Sequence, residues 1–206
     1  MKNLKIAIQK SGRLNEKSVQ LLKNCGLDFE NYKSSLITTV ANFNLEILFL
    51  RDDDIPGYVE QGIADLGIVG ENVIDETASK VNYLQRLGFG KCTLKLAVPR
   101  DSAIKEIKDL NGKSIATSYP VILKSFLEEY KISADIQTIS GSVEIAPGLG
   151  LSDAICDIVS TGGTLKSNGL KPFADVRSSE AILIGRDGLQ DNEILNELLQ
   201  RIQSVL

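Results

Sequence analysis

Residues 153–169, DAICDIVSTGGTLKSNG, place an acid directly ahead of a loop of small hydroxyl and glycine residues. Ala154, Ile155, Ile158 and Val159 read as a buried strand with Asp157 just before its carboxyl end. In the loop Ser160, Thr161, Gly162, Gly163 and Thr164, the two glycines let the backbone turn sharply, so several N–H groups converge on one anion. A short helix over Leu165 to Asn168, closed by Gly169, would aim the positive end of its macrodipole, about 0.5 elementary charge, at the same point. Gly-Gly after a strand is also an ordinary tight turn. Asp157 favours the phosphate reading, because an acid at that place accepts hydrogen bonds from ribose hydroxyls or reaches a magnesium ion through water.

A second group of candidates lies at other strand exits. QKSGRL puts Lys10 and Arg13 at the mouth of a strand, with Ser11 and Gly12 permitting a turn, and Arg13 offers a planar fork to phosphate. The same two residues also read as plain solvated cations. RDDDIPGYV sets Arg51, Asp52, Asp53 and Asp54 ahead of a helix whose first turn holds Pro56, and such acids commonly do no more than cap the helix. IATSYP offers the hydroxyls of Thr117, Ser118 and Tyr119, although Tyr119 also suits a packed turn. In SGSVEIAP, Ser142 reads as a helix cap with Glu144 in the first turn, an arrangement that needs no ligand. Asp65 and Glu71 flank another glycine-bounded strand and are open to the same two readings.

Positioning these residues takes alternating elements. Strand patterns fall at Lys5 to Ile8, Glu46 to Leu50, Leu66 to Val69, Thr93 to Val98, Ser114 to Ala116, Ile136 to Ile139, Ala154 to Val159 and Ala181 to Ile184. Helical patterns at Asn15 to Asn24, Ile55 to Gln61, Pro120 to Tyr130, Val143 to Leu149 and Asp191 to Leu206 separate most of them. The alternation predicts an α/β fold with mainly parallel sheets. In the last helix Ile194, Leu195, Leu198, Leu199 and Ile202 share a face, with Asp191 expected as N-cap. GIADLGIVG at 62–70 and GLSDAICDIVSTGG at 150–163 share a plan, an Asp entering an apolar strand that exits at glycine. That echo suggests one such strand in each of two lobes: residues 1–92 with 175–206, and residues 93–174 carrying the phosphate loop, joined by two crossings that would form a hinge.

Composition narrows the chemistry. The chain has 206 residues, 43% hydrophobic and 24% charged, enough to bury a core of its own. No apolar run approaches the roughly 20 residues of a membrane span, and the N-terminus enters a strand pattern with no leader-like stretch, so the cytoplasm is expected. Histidine is absent, which removes imidazole as base, nucleophile partner or metal ligand. Cys25, Cys92 and Cys156 are too few and too scattered for a metal site or disulfide framework. A net charge of −4 argues against broad binding to nucleic acid or an anionic membrane.

QKSGRL, RDDDIPGYVEQGIADLGIVGENV, NGKSIATSYP, GSVEIAP and DAICDIVSTGGTLKSNGL, in this order and across nearly the whole chain, resemble the catalytic part of ATP phosphoribosyltransferases. The resemblance implies two α/β lobes like a type II periplasmic binding protein. It also implies an enzyme that joins ATP to 5-phosphoribosyl 1-pyrophosphate with release of pyrophosphate, the first step of histidine biosynthesis, with Mg2+ required. Carried onto this chain, Ser160 to Thr164 would hold the donor's 5-phosphate and Asp157 would face its ribose. Lys10 and Arg13 would neutralise pyrophosphate or ATP phosphates, with Arg51, Asp65, Glu71, Tyr119 and Glu144 as further candidate contacts to the nucleotide. The motifs resemble the long form of the family, so a regulatory domain or subunit outside this chain is expected, along with a homodimer and little inhibition by histidine. Two rival readings are a non-catalytic two-lobed ligand-binding module and a phosphoribosyltransferase with another acceptor, since the fold serves both.

Overall fold

The computed structural model describes residues 3–30, 35–159, 163–189 and 192–206. Its contacts divide the chain into a first unit, Met1–Gly90 with Glu180–Leu206, and a second, Lys91–Ser179.

The first unit contains β1 (Leu4–Gln9), α1 (Arg13–Asn24), β2 (Ile37–Thr39), β3 (Leu45–Leu50), α2 (Ile55–Glu60), β4 (Leu66–Gly70), α3 (Glu71–Thr77) and β5 (Asn82–Arg86). The second contains β6 (Cys92–Pro99), β7 (Ser114–Thr117), α4 (Pro120–Glu129), β8 (Asp135–Thr138), β9 (Ala154–Val159), α5 (Gly163–Ser167) and β10 (Leu170–Ser179). The chain then returns to the first unit with β11 (Ala181–Gly185) and α6 (Glu193–Gln203). This return falls at Glu180 rather than at 175, because β10 goes on pairing with β6 as far as Ser179.

Each unit is one sheet covered by helices, with strand orders β2-β3-β1-β4-β11-β5 and β10-β6-β9-β7-β8. β1 pairs in parallel with β3 and β4, and β7 in parallel with β8 and β9. β1, β4 and β7, inside their sheets, are largely apolar on both faces, as covered parallel strands must be, whereas β8 is a polar edge strand. Antiparallel strands flank them, so both sheets are mixed where alternation alone suggested mainly parallel ones. Of these antiparallel strands, β6 and β11 were predicted by apolar patterning and β2, β5 and β10 were not. β2 and β5 are short edge strands with Ile37 and Tyr83 exposed, and β10 is an edge strand broken by Pro172 and by charged residues.

α6 buries Leu195, Leu198 and Ile202 on one side. Its cap is Asn192, whose side chain accepts from Leu195 N–H at 3.0 Å; Asp191, the expected cap, lies outside the described residues. The helix expected over 143–149 is instead two 3-10 turns, Val143–Ile145 and Pro147–Leu149, because Pro147 has no N–H and its ring crowds the carbonyl four residues back. Ser142 precedes the first turn in a left-handed conformation, φ 51°, and makes no side-chain cap bond. Among the described residues, no helix is long and apolar enough to cross a membrane.

The sequence echo has a structural cause. Asp65 accepts from Lys5 N–H and Asp153 from Ser114 N–H, each at 2.9 Å, and each Asp returns its own N–H to the carbonyl of the same residue. An aspartate therefore clips the start of β4 to β1, and another clips the start of β9 to β7. Asp153 is held below the usual carboxylate range mainly by the Ser114 N–H.

Candidate active site

In the first unit Lys10, Arg51 and Glu71 directly follow three strands that run parallel, so they leave the sheet at its carboxyl edge, where open α/β sheets bind ligands. Lys10 N–H donates to Leu50 C=O at 2.8 Å, which joins the Lys10 and Arg51 loops. Lys10, Arg13 and Arg51 are exposed. α1 opens at Gly12 with no side-chain cap, so its first N–H groups and the charges of Lys10 and Arg13 together suit an anion. Buried Asn15 donates to Gln9 C=O at 2.5 Å and ties the first turn of α1 to the end of β1.

Gly12 has φ 88° and ψ −178°, a conformation open in practice only to glycine. Gly12→Ala is expected to strain this turn by about 1–3 kcal/mol and to weaken binding of a triphosphate ligand. Calorimetric titration with ATP checks this, and affinity equal to wild type would remove the turn from the anion site.

Glu71 and Asp65 are used differently from the sequence expectation. Glu71 is buried, and its Oε1 and Oε2 take Arg86 Nη2 and Nη1 at 2.6 and 3.1 Å, with Glu180 on the same guanidinium at 2.8 Å. Asp65 lies at the amino end of β4, opposite the edge that carries Lys10 and Arg51, and its second oxygen accepts from Arg186 Nε at 2.8 Å. Both side chains serve the fold. Burial pushes the Asp53 carboxyl up, with Asp52 and Asp54 adding to the effect and Arg51 opposing it.

In the second unit, β7, β8 and β9 likewise deliver Ser118 and Tyr119, the 139–144 segment, and the loop after Val159 to one edge. Tyr119 N–H donates to Thr117 Oγ1 at 2.9 Å, and its ring packs on the core formed by Leu123, Phe126 and their neighbours. Ser160, Thr161 and Gly162 lie outside the described residues. Gly163 and Thr164 form the first turn of α5, two residues earlier than the pattern predicted, and Gly169 closes the segment at φ 70°. Leu165 anchors α5 in a cluster with Ile155, Val143 and Ala146.

Asp157 projects from the face of β9 that carries Ile155 and Val159, the face covered by this cluster. Its Oδ1 accepts from Ile158 N–H at 2.8 Å. Burial pushes the Asp157 carboxyl up, that N–H opposes the shift, and nearby Glu144 adds to it. Glu144 is half-buried on the 3-10 turn whose Val143 belongs to the same cluster. Asp157 is thus brought close to Glu144, on the sheet face that also carries α5. Among the described residues, no group of three or more Cys, Asp or Glu forms a metal cage. Two neighbouring carboxylates do suit a hard cation that takes its remaining oxygens from substrate phosphates.

Arg100 was not anticipated from the sequence. Its N–H donates to Gly169 C=O at 3.1 Å and its Nη2 to Lys166 C=O at 3.3 Å, while Lys171 Nζ donates to the Arg100 carbonyl at 2.9 Å. These bonds fix the far end of α5. No local pattern announces them, because Arg100 is 66 residues from Lys166.

The family model for HisG, ATP phosphoribosyltransferase, matches residues 51–204. The ATP phosphoribosyltransferase of Cytophaga hutchinsonii is 55% identical over 204 residues, covering 98% of this chain and 71% of that protein. The enzyme of the same name from Parabacteroides distasonis is 50% identical, covering 98% and 72%. Among solved structures, a chain of the ATP phosphoribosyl transferase (HisG:HisZ) complex from Thermotoga maritima superposes with TM-score 0.85 at 31% identity, covering 98% of each chain. The arginine-, lysine-, histidine-binding protein ArtJ from Geobacillus stearothermophilus shares the fold alone, with TM-score 0.64 at 15% identity over 99% of this chain and 89% of its own. A family model over residues 51–204 and a relative at 55% identity show that the chain belongs to the ATP phosphoribosyltransferase family.

Proposed function

We propose that Asp157 and the segment through Thr164 hold the phosphoribosyl donor, and that Lys10 and Arg13 hold the phosphates of ATP or of the departing pyrophosphate. The enzyme itself is an ATP phosphoribosyltransferase, acting in the first step of histidine biosynthesis. The observation that carries the site assignment is Asp157 near the carboxyl end of β9, close to Glu144 and shortly ahead in sequence of Gly163 and Thr164 at the start of α5.

The reaction forms a bond from adenine N1 to the anomeric carbon of the donor and breaks that carbon's bond to pyrophosphate, which leaves with the electron pair. Positive charge builds on the ribose while negative charge grows on the leaving group. In this reading the Asp157 carboxylate would stabilise the first of these changes, and Lys10 and Arg13 would stabilise the second. Adenine N1 is a weak nucleophile, so holding two large anions in register supplies much of the acceleration. No protein nucleophile is required, consistent with a chain that lacks histidine.

The metal ion is Mg2+ in our reading; Asp157, with Glu144 beside it, would hold it, and it would supply charge that neutralises the leaving pyrophosphate. Arg51, at the same edge as Lys10, and Tyr119, at the edge that carries Glu144, remain candidate contacts to the nucleotide. We place the enzyme in the cytoplasm, where both substrates are made, and infer that it assembles with a second chain, at the least another copy of itself. The Thermotoga relative, solved as a HisG:HisZ complex, supports an assembly of this kind.

Gly163→Val tests the donor site, because a branched side chain at the first position of α5 intrudes where the phosphate would sit. Donor affinity should fall at least 10-fold, read by calorimetry, with an unchanged melting temperature. Unchanged affinity would move the phosphate elsewhere.

A further inference from the structure

The register of the second sheet sets three charged side chains in one row. Lys95 of β6 lies directly opposite Asp157 of β9 on one side and directly opposite Asp175 of β10 on the other, both pairings antiparallel. Directly opposed residues point to the same face with Cβ atoms about 4.5–5.5 Å apart. Lys95 therefore shares the face of Asp157, at the same height along the strands. Lys95 is thus flanked in register by two aspartates, and its Nζ binds Asp175 Oδ1 at 2.5 Å.

The two neighbours differ in what they offer. The Asp175 side chain is 66% exposed, and that of Lys95 only 26%. An ion pair with one partner in water contributes little, so releasing Lys95 from Asp175 costs little. Asp157 is the more enclosed of the two acids. A lysine stem spans far enough to bring its charge from one neighbour to a ligand seated over the other.

We propose that Lys95 is a donor-binding residue: when 5-phosphoribosyl 1-pyrophosphate occupies the Asp157 site, the Lys95 ammonium leaves Asp175 and pairs with the donor's anionic groups. Asp175 is then a parking partner that holds the ammonium aside while the site is empty. This rests on the assignment of Asp157 to the donor ribose, and it adds a third cation to Lys10 and Arg13, one carried by the second unit.

The test compares Lys95→Met, Asp175→Asn and Asp157→Asn by steady-state kinetics with Mg2+, varying each substrate separately, and checks folding by thermal melting. The proposal expects Lys95→Met to raise KM for the donor by about 10-fold or more, the loss of a charged hydrogen bond, and to leave KM for ATP within twofold. Asp175→Asn should act in the opposite direction, lowering the donor KM by up to about fivefold, because the ammonium no longer has to leave a partner. A purely structural ion pair predicts instead that both variants lower the melting temperature together and leave the donor KM unchanged. That pattern overturns the proposal, as does a donor KM unmoved by Lys95→Met while Asp157→Asn impairs the reaction. If Asp157→Asn is also without effect, the donor assignment to this site fails as well, and the two failures are told apart by that variant.

Discussion

Asp157→Asn is expected to lower turnover by about 10-fold to 100-fold, on the order of 1.4–2.7 kcal/mol of transition-state stabilisation, without loss of stability. Asparagine keeps the shape and can still accept from Ile158 N–H, so the change isolates the charge. In the proposed site that charge would face a ribose that becomes electron-poor as pyrophosphate leaves. The fold itself gains nothing from it. Burial, with Glu144 adding, raises the folded-state pKa of Asp157 above its unfolded value. The folded state therefore binds the proton more tightly, and stability falls as pH rises from the ordinary carboxylate range through the raised value. At neutral pH the ionised acid is a cost, and the asparagine variant should melt at or above the wild-type temperature, a trade of stability for activity common at active sites. Full turnover in the variant, or lost turnover accompanied by a lower melting temperature, would return Asp157 to a structural role.

Gly67→Ala should have the largest effect on the fold. Gly67 is in β4 at the centre of the first sheet, where an added Cβ would lie 2.7 Å from Ile55 Cγ2 and 3.1 Å from both Ile184 Cγ1 and Val59 Cγ2. Ile55 and Val59 belong to α2 and Ile184 to β11, all three fully buried, so no neighbour can swing into solvent. Overpacking of this kind costs about 1–3 kcal/mol. At roughly 2–4 °C per kcal/mol for a chain of this size, the expected drop in melting temperature is about 2–12 °C. The helix lifted by the added methyl carries the Arg51–Asp54 turn at its start, so a fall in ATP affinity should accompany the loss of stability. A wild-type melting temperature would mean that α2 sits farther from β4 than the structure places it.

The sequence was most legible where apolar runs are long and buried. All eight patterned strands are present, with ends shifted by a residue or so, because strands such as Leu4–Gln9 and Ala154–Val159 must bury both faces. β2, β5 and β10 escaped because an edge strand needs only one partner and carries polar residues and proline that read as loop. α3 was hidden for another reason: it begins at Glu71 immediately after Gly70, with no polar connection or side-chain cap to mark its start.

The site was legible in part for a related reason. Asp157 was read as the acid ahead of the loop and Glu144 as a helix-turn residue or nucleotide contact, and packing through Val143, Ile155 and Leu165 brings the two together. The sequence left Asp65 open to two readings, because an aspartate at the head of a strand looks the same whether it clips two strands or binds a ligand. The clip shows only in the hydrogen bonds that Asp65 and Asp153 share with the residues beginning β1 and β7. In that repeat the position of Asp157 is taken by Val69, which is fully buried, so the ligand-facing acid belongs to the second unit alone. Lys95 was invisible, since its place opposite Asp157 depends on a register between strands about 60 residues apart.

The most direct test is pyrophosphate release from the purified chain with Mg2+, given ATP alone, 5-phosphoribosyl 1-pyrophosphate alone, and both, with mass analysis of the nucleotide formed. The account predicts release only with both substrates and a product with the mass of N1-(5-phosphoribosyl)-ATP. Release from the donor alone, or tight donor binding with no new nucleotide when ATP is present, would contradict it.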